Sequence, residues 1–463
     1  MDGSQPINAY LSGNFAPVHS EDDFALEVVG ELPAALRGTL FRNGPNPQFE
    51  PGGDYHWFSG DGMIHAFDLE DGKARYRNRY VRTPKYLAEH EAGRSVFGTF
   101  GNPMTTDPAY IGKGSGVANT NIVVHAGRLF ALEEGHMPTE LDPATLETRG
   151  YVDAYRGKVT AHPKIDPVTG EMVWFGYSTG VMPLNATMAY GVTSASGEVL
   201  RRDEFEAPFS SMVHDFLVTE RHVLFPILPL TGDLQRAMTG GPAFAWEPDK
   251  GAFVGVMARD AGVETIRWFN TEACYVFHPM NAWEDGTRII ADVMEYPSAP
   301  LFPNADGSRG LKTHARLVRW TFDLAGDSDA IRREVLDDLP GEFPRFDERR
   351  AGLAYRHGWF AAQTRNPGGM KFDALAHVDV TTGARRTYHL PEGDGVGEPV
   401  FVPRSADAAE GDGYLLAVAY LGQENRGELQ VFDALDIEAG PIARARVPRR
   451  VPYGFHGNWM PAS

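Results

Sequence analysis

The chain has 463 residues, 42% of them hydrophobic and 23% charged, a profile that fits a folded globular protein and excludes a disordered or fibrous one. A formal net charge of −19 excludes steering by a nucleic-acid backbone. A single cysteine, Cys274, excludes an intrachain disulfide framework and a cysteine-rich zinc site.

The opening "MDGSQPINAYLSGNFAPV" has neither a basic segment nor an apolar one, so it does not read as a signal peptide, and a cytoplasmic location is expected. From there the chain repeats one theme, a β-prone run, a turn carrying Asp or Gly, and another β-prone run. It recurs in "HAFDLEDGKARYRNRYV", "ELDPATLETRGYV", "KIDPVTGEMVWFGYS", "HVDVTTGARRTYHL" and "QVFDALDIEAGPIARARV". Helical periodicity is scarce. Two excursions interrupt the strands. Residues 84–116 begin with a short helical piece and turn glycine-rich, and residues 226–248 mix Pro, Gly and apolar side chains. Long insertions on a rigid β scaffold commonly form lids or binding surfaces. The run "GKGSG" at 112–116 lacks the Lys-Ser/Thr offset and the following helix of a phosphate loop. Many irregularly spaced hairpins suggest a β-propeller, with two stacked β-sandwiches as the alternative. No linker or composition break separates two such units, so one domain over residues 1–463 is expected.

Among fifteen histidines, four share a setting: His162 in "VTAHPKIDP", His214 in "SSMVHDFLV", His278 in "CYVFHPMNAWED" and His456 in "YGFHGNWM". Each follows a small or apolar run that reads as an inner strand. Their spacings of 52, 64 and 178 residues are far too long for a helix-borne metal motif. They suit one ligand from each of several blades meeting on a propeller axis. Four imidazoles without thiolate or carboxylate suit Fe(II), Zn(II), Cu(II) or Ni(II). A calcium-dependent propeller hydrolase would instead need oxygen ligands on the axis.

Ordered segments along nearly the whole chain carry a resemblance. They are "NFAPV", "LFRNGPNPQFEP", "YHWFSGDGMIHAF", "ANTNIVVHAGRLFALEEG", "AHPKIDPVTGE", "MVHDFLVT", "EFPRFD", "GEPVFVPR" and "GFHGNWM". Together they resemble the carotenoid cleavage oxygenase family, which includes carotenoid and apocarotenoid dioxygenases, the visual-cycle retinoid isomerase and lignostilbene dioxygenases. The resemblance implies a seven-bladed, all-β propeller with a helical and loop cap over one face. It implies one Fe(2+) on the axis, held by His162, His214, His278 and His456, with O2 as co-substrate. It places orienting carboxylates at Glu134, Glu342 and Glu398, and at Thr120 a residue that crowds one open metal position. The implied reaction is oxidative scission of a C=C bond into two carbonyl fragments.

The resemblance implies an apolar alkene substrate, of which two kinds are in view. Stilbene-cleaving members carry a Tyr and a Lys that hold the phenol oxygen, where this chain has Phe100 in "TFGNP" and Glu133 in "ALEEG". A carboxylate beside a phenolate in a low-dielectric site is repulsive, by several kcal/mol. A carotenoid or apocarotenoid is therefore the preferred expectation, and a stilbene or phenylpropanoid alkene the alternative. Substrate contacts are expected at Phe58, Phe100 and Glu133. Carotenoids reside in membranes, so peripheral membrane contact is expected through Phe225, Ile227, Leu228, Leu230, Leu234, Phe244 and Trp246 within 225–246.

Overall fold

The computed structural model describes residues 8–52, 55–100 and 105–462. Residues 1–7 of the opening and 101–103 of "TFGNP" lie outside the described residues.

Local turn chemistry builds the sheets. In "DLEDGKARY", Asp71 (φ 50°) and Gly72 (φ 73°) form the tight turn joining strands Gly62–Glu70 and Lys73–Tyr80. Two left-handed residues in succession match the twist of a hairpin. Elsewhere an Asp side chain folds the turn by accepting backbone N–H groups two and three residues on. Asp142 does so for Ala144 and Thr145, Asp166 for Val168 and Thr169, and Asp379 for Thr381 and Thr382.

Five four-stranded antiparallel sheets follow one another along the chain, within residues 121–151, 164–206, 217–271, 275–337 and 341–389. Four are meanders of consecutive strands, and the one within 217–271 is the same meander interrupted by the strand pair Leu230–Gly232 and Phe244–Trp246, the blade pattern of a β-propeller. Seven blades were expected, and the structure corrects that count. Five blades stand alone, and the remaining strands from both ends of the chain form one continuous ten-stranded sheet. Strand Asp23–Gly30 is the cause. Its first half pairs with Lys73–Tyr80 and its second half with Ala443–Arg446, so the hydrogen-bond ladder runs on without a break. Gly30 (φ 87°) ends that strand where a Cβ would lie 2.3 Å from the Ile442 carbonyl oxygen, so only glycine fits. The last strand, Gly457–Pro461, pairs with Gly38–Pro45 and ties the end of the chain to its beginning.

The cores lie between neighbouring sheets. Trp174, Trp320 and Trp359 are fully buried, and each indole N–H is satisfied, by Thr193, Glu295 and the Ala434 carbonyl respectively.

The two excursions carry the α-helices Pro84–Ala92 and Leu234–Met238, the only two among the described residues. Thr83 caps the first by accepting the Tyr86 N–H, Pro84 occupies its first turn, and Gly93 (φ 66°) ends it. The apolar surface expected at 225–246 is not there. Phe225, Ile227, Leu228, Leu230 and Trp246 are buried, and Leu234 and Phe244 are partly so. Strand His222–Ile227 is interior to its blade, and the hairpin of Leu230–Gly232 with Phe244–Trp246 folds back over the core. No helix among the described residues is long and apolar enough to cross a membrane.

Candidate metal centre

His162 and His214 stand just before the short strands Lys164–Ile165 and Leu217–Val218 that open two blades. His456 stands just before the closing strand, so these three precede strands rather than follow them. His278 lies within strand Tyr275–Asp285, where pairing with Arg288–Tyr296 shifts register between Val276 and Pro279. All four side chains are buried, and their ligand nitrogens lie within 4.8 Å of one another. The sequence reading named this set, and the fold brings it together.

Each of three imidazoles has a carboxylate on its outer nitrogen. Nδ1 of His278 meets Glu342 at 2.5 Å, Nδ1 of His456 meets Glu398 at 2.9 Å, and Nδ1 of His214 meets Glu134. A carboxylate there accepts the Nδ1–H and leaves the Nε2 lone pair pointing inward. Yet Nε2 of His214 lies 3.1 Å from Nε2 of both His162 and His278. For His214 and His278, whose protons sit on Nδ1, two lone pairs face each other with no proton between them. A cation accepting all of them removes the repulsion, so the donor set fits a borderline divalent metal. Burial drives His162 well below the ordinary histidine range, with its three neighbours adding to the effect. Burial also lowers His278 and His456, although their carboxylates oppose it. For His214 burial lowers and the Glu134 carboxylate raises, and the net is upward. Burial opposes the charge on Glu398, but Arg345 and His456 outweigh it and hold the carboxyl down at about 2.

Several neighbours escaped the sequence reading. Tyr177 donates to Glu134 at 2.7 Å, and Arg345 lies 3.1 Å from Glu398. Asp215 stands 3.7 Å from Nδ1 of His162 and is itself paired with Lys164. A carboxylate directly after a candidate ligand in "HDF" was the available signal for Asp215.

Thr120 sits against this cluster through its carbonyl, which accepts the His456 N–H at 3.2 Å, while its hydroxyl donates to Asn119. Asn119 in turn donates to the carbonyls of Phe58 and Gly60. Phe58 belongs to an aromatic box. Its ring lies 5.4 Å from Phe100, 6.4 Å from Phe302 and 5.6 Å from Phe455, the residue before His456. Phe244 stacks on Phe100 at 5.9 Å. Glu133 stands apart from this box in its contacts, accepting the Val117 N–H at 2.9 Å and lying 3.0 Å from Nδ1 of His136.

Comparison with known proteins agrees with this centre. Residues 15–461 match the family described as RPE65, retinal pigment epithelial membrane protein. The chain is 40% identical to isoeugenol monooxygenase of Pseudomonas nitroreducens over 468 residues, 97% of this chain and 98% of that one. It superposes on the lignostilbene dioxygenase of Pseudomonas brassicacearum with a TM-score of 0.94 and 37% identity, covering 99% of each chain. For the Synechocystis apocarotenoid oxygenase the TM-score is 0.86 at 30% identity, covering 96% of this chain and 97% of that one. The chain belongs to the carotenoid cleavage oxygenase family. It is an oxygenase of that family, one that cleaves carbon–carbon double bonds.

Proposed function

We propose that His162, His214, His278 and His456 hold iron(II), and that the adjoining aromatic box takes an aryl-conjugated alkene of phenylpropanoid or stilbene type. The observation that carries the metal is the convergence of four imidazoles, three of them with the outer nitrogen held by a carboxylate. Bound there, iron(II) supplies activation of O2 for addition across the alkene. The balance is R–CH=CH–R′ + O2 giving R–CHO and R′–CHO, with the alkene as reductant and both oxygen atoms in the products.

The protein's own groups have separate tasks in this reading. Glu134, Glu342 and Glu398 orient three imidazoles and raise their basicity. Arg345 fixes Glu398, and Thr120 borders the site beside His456. Phe58, Phe100, Phe302 and Phe455 exclude water and receive an aryl ring by edge and face contacts. Glu133 is already engaged by Val117 and His136, so ring contact rather than a phenolate clamp selects the substrate. Similarity over the full length of an isoeugenol monooxygenase and a lignostilbene dioxygenase supports the choice, and residues 1–463 act as one unit.

A carotenoid or apocarotenoid is the second reading. Phe100 and Glu133 supply no cation for a phenolate, and the fold is close to that of an apocarotenoid oxygenase. The test is incubation of iron-loaded protein under O2 with isoeugenol, a 4-hydroxystilbene and an apocarotenal, with products identified by mass spectrometry. Aromatic aldehydes from either of the first two are expected. Products from the apocarotenal alone would replace the first reading with the second, and no aldehyde from any of them would overturn both.

A further inference from the structure

We infer that Lys85 is a positioning residue that fixes the spacing of Phe58 and Phe100, and so the width of the aromatic box. The inference rests on the reading that this box receives the substrate. Lys85 lies in the first turn of helix Pro84–Ala92 and is buried. Its ammonium donates to Asp61 Oδ1 at 2.8 Å and to Glu89 Oε2 at 2.7 Å, and both carboxylates are buried as well.

The ion triplet belongs to a closed circuit. Glu89 Oε1 accepts the backbone N–H of Val96 at 2.9 Å and of Phe97 at 3.2 Å, together with the Ser95 hydroxyl. Three residues beyond Phe97, the Phe100 N–H donates to Ser59 Oγ at 2.6 Å. Ser59 lies between Phe58 and Asp61, and Asp61 returns to Lys85. One wall of the box is therefore pinned through Asp61 and the other through Glu89, with Lys85 the one side chain among the described residues that donates to both carboxylates.

Stability alone does not account for the arrangement. Replacing a buried ion group by apolar side chains is often neutral or stabilising, because the desolvation cost rivals the Coulombic gain. What the triplet supplies is fixed geometry. None of its three members touches the four histidines, so its loss should alter substrate selection and leave the metal in place.

The experiment compares wild type with Lys85→Met and with the charge-free triple variant Asp61→Asn/Lys85→Met/Glu89→Gln. Ser59→Ala, which opens the circuit at its far side with little demand on folding, is the third variant. Iron per chain is measured first. Then kcat and KM are measured for isoeugenol, with one ring, and a 4-hydroxystilbene, with two. The expected result is unchanged iron, a KM raised about tenfold with kcat little altered, and a ratio of kcat/KM between the substrates shifted by about tenfold. Ser59→Ala should move the ratio in the same direction by a smaller factor. A ratio unchanged within twofold in the folded, iron-loaded variants overturns the inference. If wild type cleaves neither aryl substrate, the aryl reading fails on its own. The same ratio taken between apocarotenals of two chain lengths then decides the role of Lys85.

Discussion

Glu398→Gln is the substitution from which most can be computed. Glu398 Oε1 receives His456 Nδ1 at 2.9 Å, and Oε2 receives the Gly457 N–H at 2.8 Å and Arg345 at 3.1 Å. Glutamine offers one carbonyl oxygen and one NH2, so at least one of these donors meets another donor. Each orphaned buried donor costs about 1–3 kcal/mol. The lost charge also removes one of the two carboxylates paired with the partly buried Arg345; Glu348 still compensates the guanidinium, so the cost stays below the roughly 3–5 kcal/mol of a fully broken buried pair. On the metal side, loss of an orienting partner typically lowers affinity about 10–100-fold, or about 1.4–2.7 kcal/mol. Anaerobic Fe(II) competition titration and urea unfolding of the metal-free protein measure the two effects separately. The expected outcome is a weaker metal site together with a metal-free form at least about 1 kcal/mol less stable. Iron affinity within twofold of wild type would refute the assignment of Glu398 as the group that orients His456.

Removing residues 451–463 should abolish metal binding. It takes away His456 and the strand Gly457–Pro461 that pairs with Gly38–Pro45. Metal analysis checks this, and a truncated chain that keeps one metal ion would argue against the site. Glu284 provides a pH test far from the centre. It accepts from Thr219, Arg221 and His222, and although burial opposes its charge, these bonds hold its carboxyl at about 2. A carboxylate near 4.3 when unfolded and lower when folded contributes stability above about pH 4.3, which is lost as pH falls through about 2. Glu284→Gln should therefore cost about 1–2 kcal/mol at pH 7, after allowance for solvent screening. The gap to wild type should narrow below pH 4 in urea melts, and a gap that does not change with pH contradicts the assignment.

What the sequence made legible was mainly local, or carried by chemistry with few alternatives. The Asp-Gly hairpin at 71–72 and the Asp turns at 142, 166 and 379 depend only on nearby backbone, so their residues announce them. The four histidines stood out because each sat among apolar residues far from the others, and a shared axis is what unites such spacings. The blade count failed because strand Asp23–Gly30 divides itself between partners about 50 and 420 residues away, and no local signal encodes that. The apolar run at 225–246 showed hydrophobicity correctly, but whether another segment covers it is a tertiary fact. Phe302 and Phe455 join Phe58 only through folding, so the sequence points to Phe58 and Phe100 alone among these four rings.

The most direct test of the centre is iron stoichiometry in anaerobically reconstituted protein, wild type beside His278→Ala, with circular dichroism to show that both are folded. Four converging imidazoles predict one iron per chain in wild type and a near-total loss in the variant. A folded His278→Ala protein that keeps one tightly bound iron, or a wild type that binds none, would contradict the four-histidine centre.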